Sequence, residues 1–104
     1  TIVLTKKAPN TKPIETIVYE TLDFEEDVIV QLNSILYKHH LISVIVEGGA
    51  QMLQAFIKKG LWDEARIFTS PNELNKGLKA PDIDGEILVE KPLLNDQLKI
   101  LLND

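Results

Sequence analysis

The stretch Ile42-Ser43-Val44-Ile45-Val46-Glu47-Gly48-Gly49-Ala50 constrains the fold more than any other part of the chain. Ile42 to Val46 is apolar except for Ser43, the pattern of a buried strand. Two glycines make a tight turn. Ala50, Leu53, Phe56 and Ile57 then mark one face of a helix, and Gly60 suits its left-handed stop. Strand, turn and helix in that order point to an α/β chain.

The flanking sequence extends this reading. Ile2-Val3-Leu4 is a strand, and Lys6 to Pro13 is a loop marked by Pro9-Asn10 and Pro13. Thr16 to Tyr19 is a short β-branched and aromatic strand. Asp23 with Glu26 three residues on matches a capping box, so a helix is expected from there to about Lys38, carried by Phe24, Val28, Leu32, Ile35 and Leu36. Asp63 to Ser70 alternates as a strand, with Ala65 and Ile67 on one side. Pro71 to Asp84 is a long polar loop. Glu86 to Glu90 and Leu98 to Leu102 are late strands, parted by Pro92 and Asn95-Asp96. The order β-β-α-β-α-β-β-β predicts an α/β fold with a mainly parallel sheet, right-handed crossovers and an antiparallel C-terminal edge.

Composition excludes several classes. The 104 residues are 44% apolar and 26% charged, which suits one globular domain and argues against disorder. No apolar run reaches the ~18 residues of a membrane helix. The net charge of −5 and the lack of a basic patch disfavour nucleic acid. Without cysteine there is no disulfide, thiolate chemistry or Cys-based zinc site, which fits a cytoplasmic setting. The chain opens inside the apolar run Ile2-Val3-Leu4, so it is expected to be a piece of a longer protein. A sheet cut in this way leaves an open strand edge, and a homodimer is one expected consequence.

One motif carries chemistry. A strand ending in Glu47-Gly48-Gly49-Ala50 presents helix-start N–H groups to a phosphate or pyrophosphate. Glycine lets a ligand approach the backbone closely. Glu47 sits where open α/β sheets bind ligands and could hydrogen-bond a hydroxyl or amine. The plain alternative is a tight turn, with Glu47 neutralising the helix start. His39-His40 are adjacent, point apart, and so do not pair on one metal; their charge suits a helix C-terminus. Glu25, Glu26 and Asp27 read as first-turn charges, and Trp62 reads as packing. Asp63 and Glu64 point to opposite faces of a strand. Thr5-Lys6-Lys7 reads as a solvated loop, with contact to a nucleotide phosphate as the other reading.

From Ser43 to Ile57, and again in Gly60-Leu61-Trp62-Asp63-Glu64-Ala65, the sequence resembles the reductase domain of the bifunctional riboflavin-biosynthesis deaminase/reductase. The likeness continues more loosely through Pro71, Gly77 and Ala80-Pro81, and in Asp96-Gln97-Leu98-Lys99-Ile100. Thr1 to Lys38 agrees only in element order. The resemblance implies a partial dihydrofolate-reductase-like three-layer fold, with residues 1–104 as the latter part of one reductase domain. It implies NADPH-dependent reduction of 5-amino-6-(5-phosphoribosylamino)uracil, a phosphoribosylaminopyrimidine, to the ribitylamino product. On that footing Gly48, Gly49 and Ala50 inherit contact with the cofactor pyrophosphate, and Glu47 faces the substrate. The deaminase's His-x-Glu and Cys-x-x-Cys zinc ligands do not occur here. The upstream half of the reductase domain is also outside the chain, so this stretch alone is expected to be catalytically incomplete. Two other readings remain: a different dihydrofolate-reductase-like reductase, or a non-catalytic α/β binding or assembly module.

Overall fold

A computed structural model describes residues 1–103. The chain divides into two compact units, Thr1–Ile45 and Val46–Asp104.

The first unit is built on a parallel pair. Strand β1 (Ile2–Thr5) runs beside β2 (Val18–Thr21), with Ile2 opposite Val18 and Thr5 opposite Thr21. The pair is tied off at both ends: Val18 N–H donates to Thr1 O (2.8 Å) and Leu22 N–H to Thr5 O (2.9 Å). Helix α1 spans Val28–Lys38. Leu22 and Ile29 are the buried apolar residues of this unit.

The helix starts one turn later than the capping-box pattern predicts. Asp27 is the cap, accepting from Ile29 N–H (3.0 Å) and Val30 N–H (3.2 Å). Asp23 instead closes a turn by accepting from Glu25 N–H (3.0 Å). Gln31 reaches back to hold that turn, donating to Asp23 O (2.8 Å) and accepting from Asp23 N–H (2.9 Å). Short acidic side chains make such turns as readily as caps, and the second acid wins here.

The second unit begins its regular structure at helix α2 (Ala50–Lys58), followed by β3 (Glu64–Thr69), β4 (Glu86–Leu93) and β5 (Asp96–Leu102). The strands form one antiparallel sheet in the order β3-β5-β4. Phe56 of α2 and Leu98 and Leu101 of β5 are its buried core. Pro92 lies within β4, where an outer strand tolerates a missing donor. A bulge between Ile87 and Val89 distorts the same strand. Gly85 is required by its neighbours: a Cβ there would lie 2.5 Å from Leu102 O and 2.9 Å from the Trp62 ring. Trp62 is thus a packing residue, as its sequence context predicts. Asn103 fastens the end of β5, donating through its side chain to Gly60 O (3.0 Å) and Trp62 O (2.7 Å).

The α/β class expected from the sequence is present, and so is the antiparallel β4–β5 hairpin. A mainly parallel sheet is not: among the described residues one strand pair is parallel and two are antiparallel. The difference traces to Ile42–Val46, the expected central strand. That run joins no ladder, and Ile42 and Ile45 are almost fully exposed. An apolar run reports a demand for burial but not the partner whose N–H and C=O groups would make it a strand.

Candidate functional site at the start of α2

Gly49 is the N-cap of α2, with extended backbone angles (φ −67°, ψ 163°). Its carbonyl accepts from Met52 N–H (3.1 Å) and Leu53 N–H (3.3 Å), which starts the helix. No side chain caps this end, and no acidic residue lies in the first turn. Among the described residues, the first-turn amides, beginning with Ala50 and Gln51, therefore have no side-chain acceptor at the positive end of the helix.

Neither glycine is demanded by the chain itself. The positive-φ glycines among the described residues are Gly60 and Gly77, not Gly48 or Gly49. A Cβ on Gly49 would meet nothing within 4 Å, and one on Gly48 would touch Met52 Cβ at an ordinary 3.7 Å. The surface over the turn is consequently open. Glu47 is exposed and has no hydrogen bond or ion pair among the described residues. It does not cap α2.

A groove of about 550 Å³ runs along α2 from Ala50 to Lys58, and Glu47, Gly48 and Gly49 do not line it. Ala50, Gln51, Gln54 and Lys58 form its helical wall, and the segment from Lys79 to Asp82 forms the other. Lys79 Nζ bridges both Asp82 carboxylate oxygens, at 2.9 and 3.0 Å, which holds that second wall across Ala80-Pro81. Sequence reasoning treated 71–84 as a polar loop and missed this wall. The available signal was two opposite charges three residues apart, flanking a proline.

The other sequence candidates are dispersed. His39 Nε2 and Lys38 Nζ both contact Glu20 Oε1 at 2.7 Å, joining the end of α1 to β2. These bonds, that of Lys38 first, hold the Glu20 carboxyl below its usual range. Asp63 lies just before β3, where its carbonyl accepts from Asn103 N–H (3.0 Å), and Glu64 pairs with Arg66 (2.6 Å). Thr5 and Lys7 close a local turn, Thr5 Oγ1 donating to Lys7 O (3.1 Å). No cluster of three or more His, Asp or Glu side chains suited to a metal occurs among the described residues.

An antiparallel sheet with an uncapped, glycine-led helix beside an open groove defines an α/β module with an accessible anion-type helix start. The chain matches the family described as the RibD C-terminal domain over residues 1–90, and it belongs to that family. The riboflavin-biosynthesis reductase family that Ser43 to Ile57 and Gly60 to Ala65 resemble is thus the family matched over residues 1–90. Among solved structures, RibD of Acinetobacter baumannii (form 2) is similar, with a TM-score of 0.67 at 18% identity. That match covers 99% of this chain and 37% of the other. At such identity the likeness concerns the fold. No curated protein gives a significant match.

Proposed function

We propose that this chain is the latter part of a riboflavin-biosynthesis reductase domain whose Gly48-Gly49-Ala50 turn receives the pyrophosphate of NADPH. The observation that supports this reading is the start of α2: a helix end with no side-chain cap, led by two glycines that the chain's own packing does not need. A pyrophosphate brings negative charge to the positive helix end and accepts its first-turn N–H groups. Glycine at 48 and 49 lets phosphate oxygens reach the main chain. NADPH supplies a hydride when bound; this chain's residues hold and orient it. Glu47, without a partner of its own, is available to accept a hydrogen bond from a substrate hydroxyl or amine. The substrate in this reading is 5-amino-6-(5-phosphoribosylamino)uracil, reduced to its ribitylamino form by the whole protein in the cytoplasm. The complete domain in this reading is a dihydrofolate-reductase-like three-layer fold and forms a homodimer.

Calorimetric titration with NADPH and NADH tests the proposal. NADPH binding that Gly49→Asp weakens by more than tenfold is the expected result. Equal binding by the variant would remove the pyrophosphate from this turn. Failure of the full-length parent to bind NADPH would favour a non-catalytic α/β module.

A further inference from the structure

Asp84 is the only Asp or Asn in the chain that Gly follows directly. Residues 78–85 form neither helix nor strand, and Asp84 is exposed. Its carboxylate has no hydrogen bond or ion pair among the described residues. Two other aspartates outside the regular elements differ. Asp27 is engaged as a helix cap and Asp82 is bound by Lys79, and each is followed by a branched residue, Val28 or Ile83.

The glycine that follows Asp84 cannot be exchanged without disturbing the fold. A Cβ at position 85 would lie 2.5 Å from Leu102 O, a main-chain atom, and 2.9 Å from the Trp62 ring. The packing of β5 and Trp62 therefore fixes an Asp-Gly pair at an exposed, irregular stretch. A glycine amide has no neighbouring side chain to obstruct attack by its nitrogen.

We infer that Asp84 is a site of spontaneous isoaspartate formation. The Gly85 nitrogen gives up its N–H proton and bonds to Asp84 Cγ of the carboxylic acid form; the acid's hydroxyl leaves with that proton as one water, and a succinimide ring closes. Water then reopens the ring. Opening at the side-chain carbonyl restores aspartate, and opening at the main-chain carbonyl leaves isoaspartate. Overall the atoms are unchanged, and no oxidant or co-reactant is needed. The product carries one extra main-chain carbon immediately before Glu86, where β4 begins opposite Leu102. It alters the fit of Gly85 against Leu102 and Trp62.

The test is an incubation of the 104-residue chain near neutral pH, followed by peptide mapping and labelling with an isoaspartyl methyltransferase. A parallel sample is kept unfolded in urea. The expected result is label in the Asp84 peptide several-fold ahead of the Asp63 and Asp96 peptides, at a folded rate within a few-fold of the unfolded one. Asp84→Glu, which cannot close a five-membered ring, should lose the label. Label at Asp84 only in urea would show that the fold protects the site and would overturn the inference. No label in either sample, or equal label at all aspartates, would overturn it too.

Discussion

Helices α1 and α2 end in the same way and begin in opposite ways. At each C-terminus the two bonds of a Schellman motif are present: Leu41 N–H to Leu36 O and His40 N–H to Tyr37 O in α1, Leu61 N–H to Phe56 O and Gly60 N–H to Ile57 O in α2. At the N-termini, the Asp27 carboxylate takes two amides of α1, while Gly49 gives α2 no side-chain acceptor. A short chain that seals one helix start and leaves the other bare has no general need for bare starts. What distinguishes α2 is the open surface over Gly49 and the adjoining groove.

The comparison is broken most directly by giving α2 the cap that α1 has. Gly49→Asp should lower NADPH affinity by more than tenfold, about 1.4 kcal/mol, because a carboxylate would occupy the anion position. The same change should leave stability equal or raise it by a few tenths of a kcal/mol, since Asp is at least as good an N-cap as Gly. Paired calorimetry and thermal melts would read both. Loss of binding together with a falling melting temperature would mean that the variant damages the fold, not the site.

The reciprocal change takes the cap from α1. Asp27→Ala should cost about 1 kcal/mol, because two amides lose their acceptor. Such a loss lowers the melting temperature by roughly 4 °C or more for a chain of this size. An unchanged melting temperature would show that the Gln31 bonds to Asp23 and Asp27 already secure that end.

The C-termini sharpen the contrast at smaller scale. Gly60 (φ 64°) and His40 (φ 56°) hold equivalent left-handed positions. A Cβ on Gly60 would meet nothing within 4 Å, so Gly60→Ala tests conformation alone and should cost about 1 kcal/mol. His40→Gly should go the other way, by roughly half a kcal/mol, because relief of strain is partly offset by a freer unfolded chain. Urea titrations of the two variants should therefore move their midpoints in opposite directions.

These features were unevenly legible in the sequence. Gly60 was readable as a stop, because a glycine that follows a helical stripe has one common use. Ala65 and Ile67 were readable as sharing one side of β3, and both are less exposed than the strand neighbours Glu64, Arg66 and Phe68. Asp27 was not readable as the cap, since Asp23 with Glu26 satisfies the capping pattern. His40 was not readable as left-handed, because its conformation follows from the cap bonds around it. Ile42–Val46 shows the deeper limit: an apolar run specifies burial, whereas a ladder needs a second strand that the run does not encode. At the candidate site, the glycines were visible from the chain alone. The Lys79–Asp82 ion pair had a signal in its i, i+3 spacing, but its place beside α2 needed the fold.

The smallest expected effect concerns how α1 is fastened, through Glu20 of β2. Its carboxyl is held below the ordinary value of 4.5 by the hydrogen bonds from Lys38 and then His39. A carboxyl whose folded pKa is depressed contributes stability above its unfolded pKa and loses it as pH falls through the folded value. Wild-type protein should therefore melt above Glu20→Gln at neutral pH. The gap should begin to close near pH 4.5, where the unfolded chain takes up its proton, and vanish once the folded carboxyl is protonated as well. Lys38 is largely exposed, so added salt should shrink the neutral-pH gap. A gap that persists unchanged to strongly acidic pH would mean that Glu20 supports α1 through packing, and that charge contributes nothing to this end of the helix.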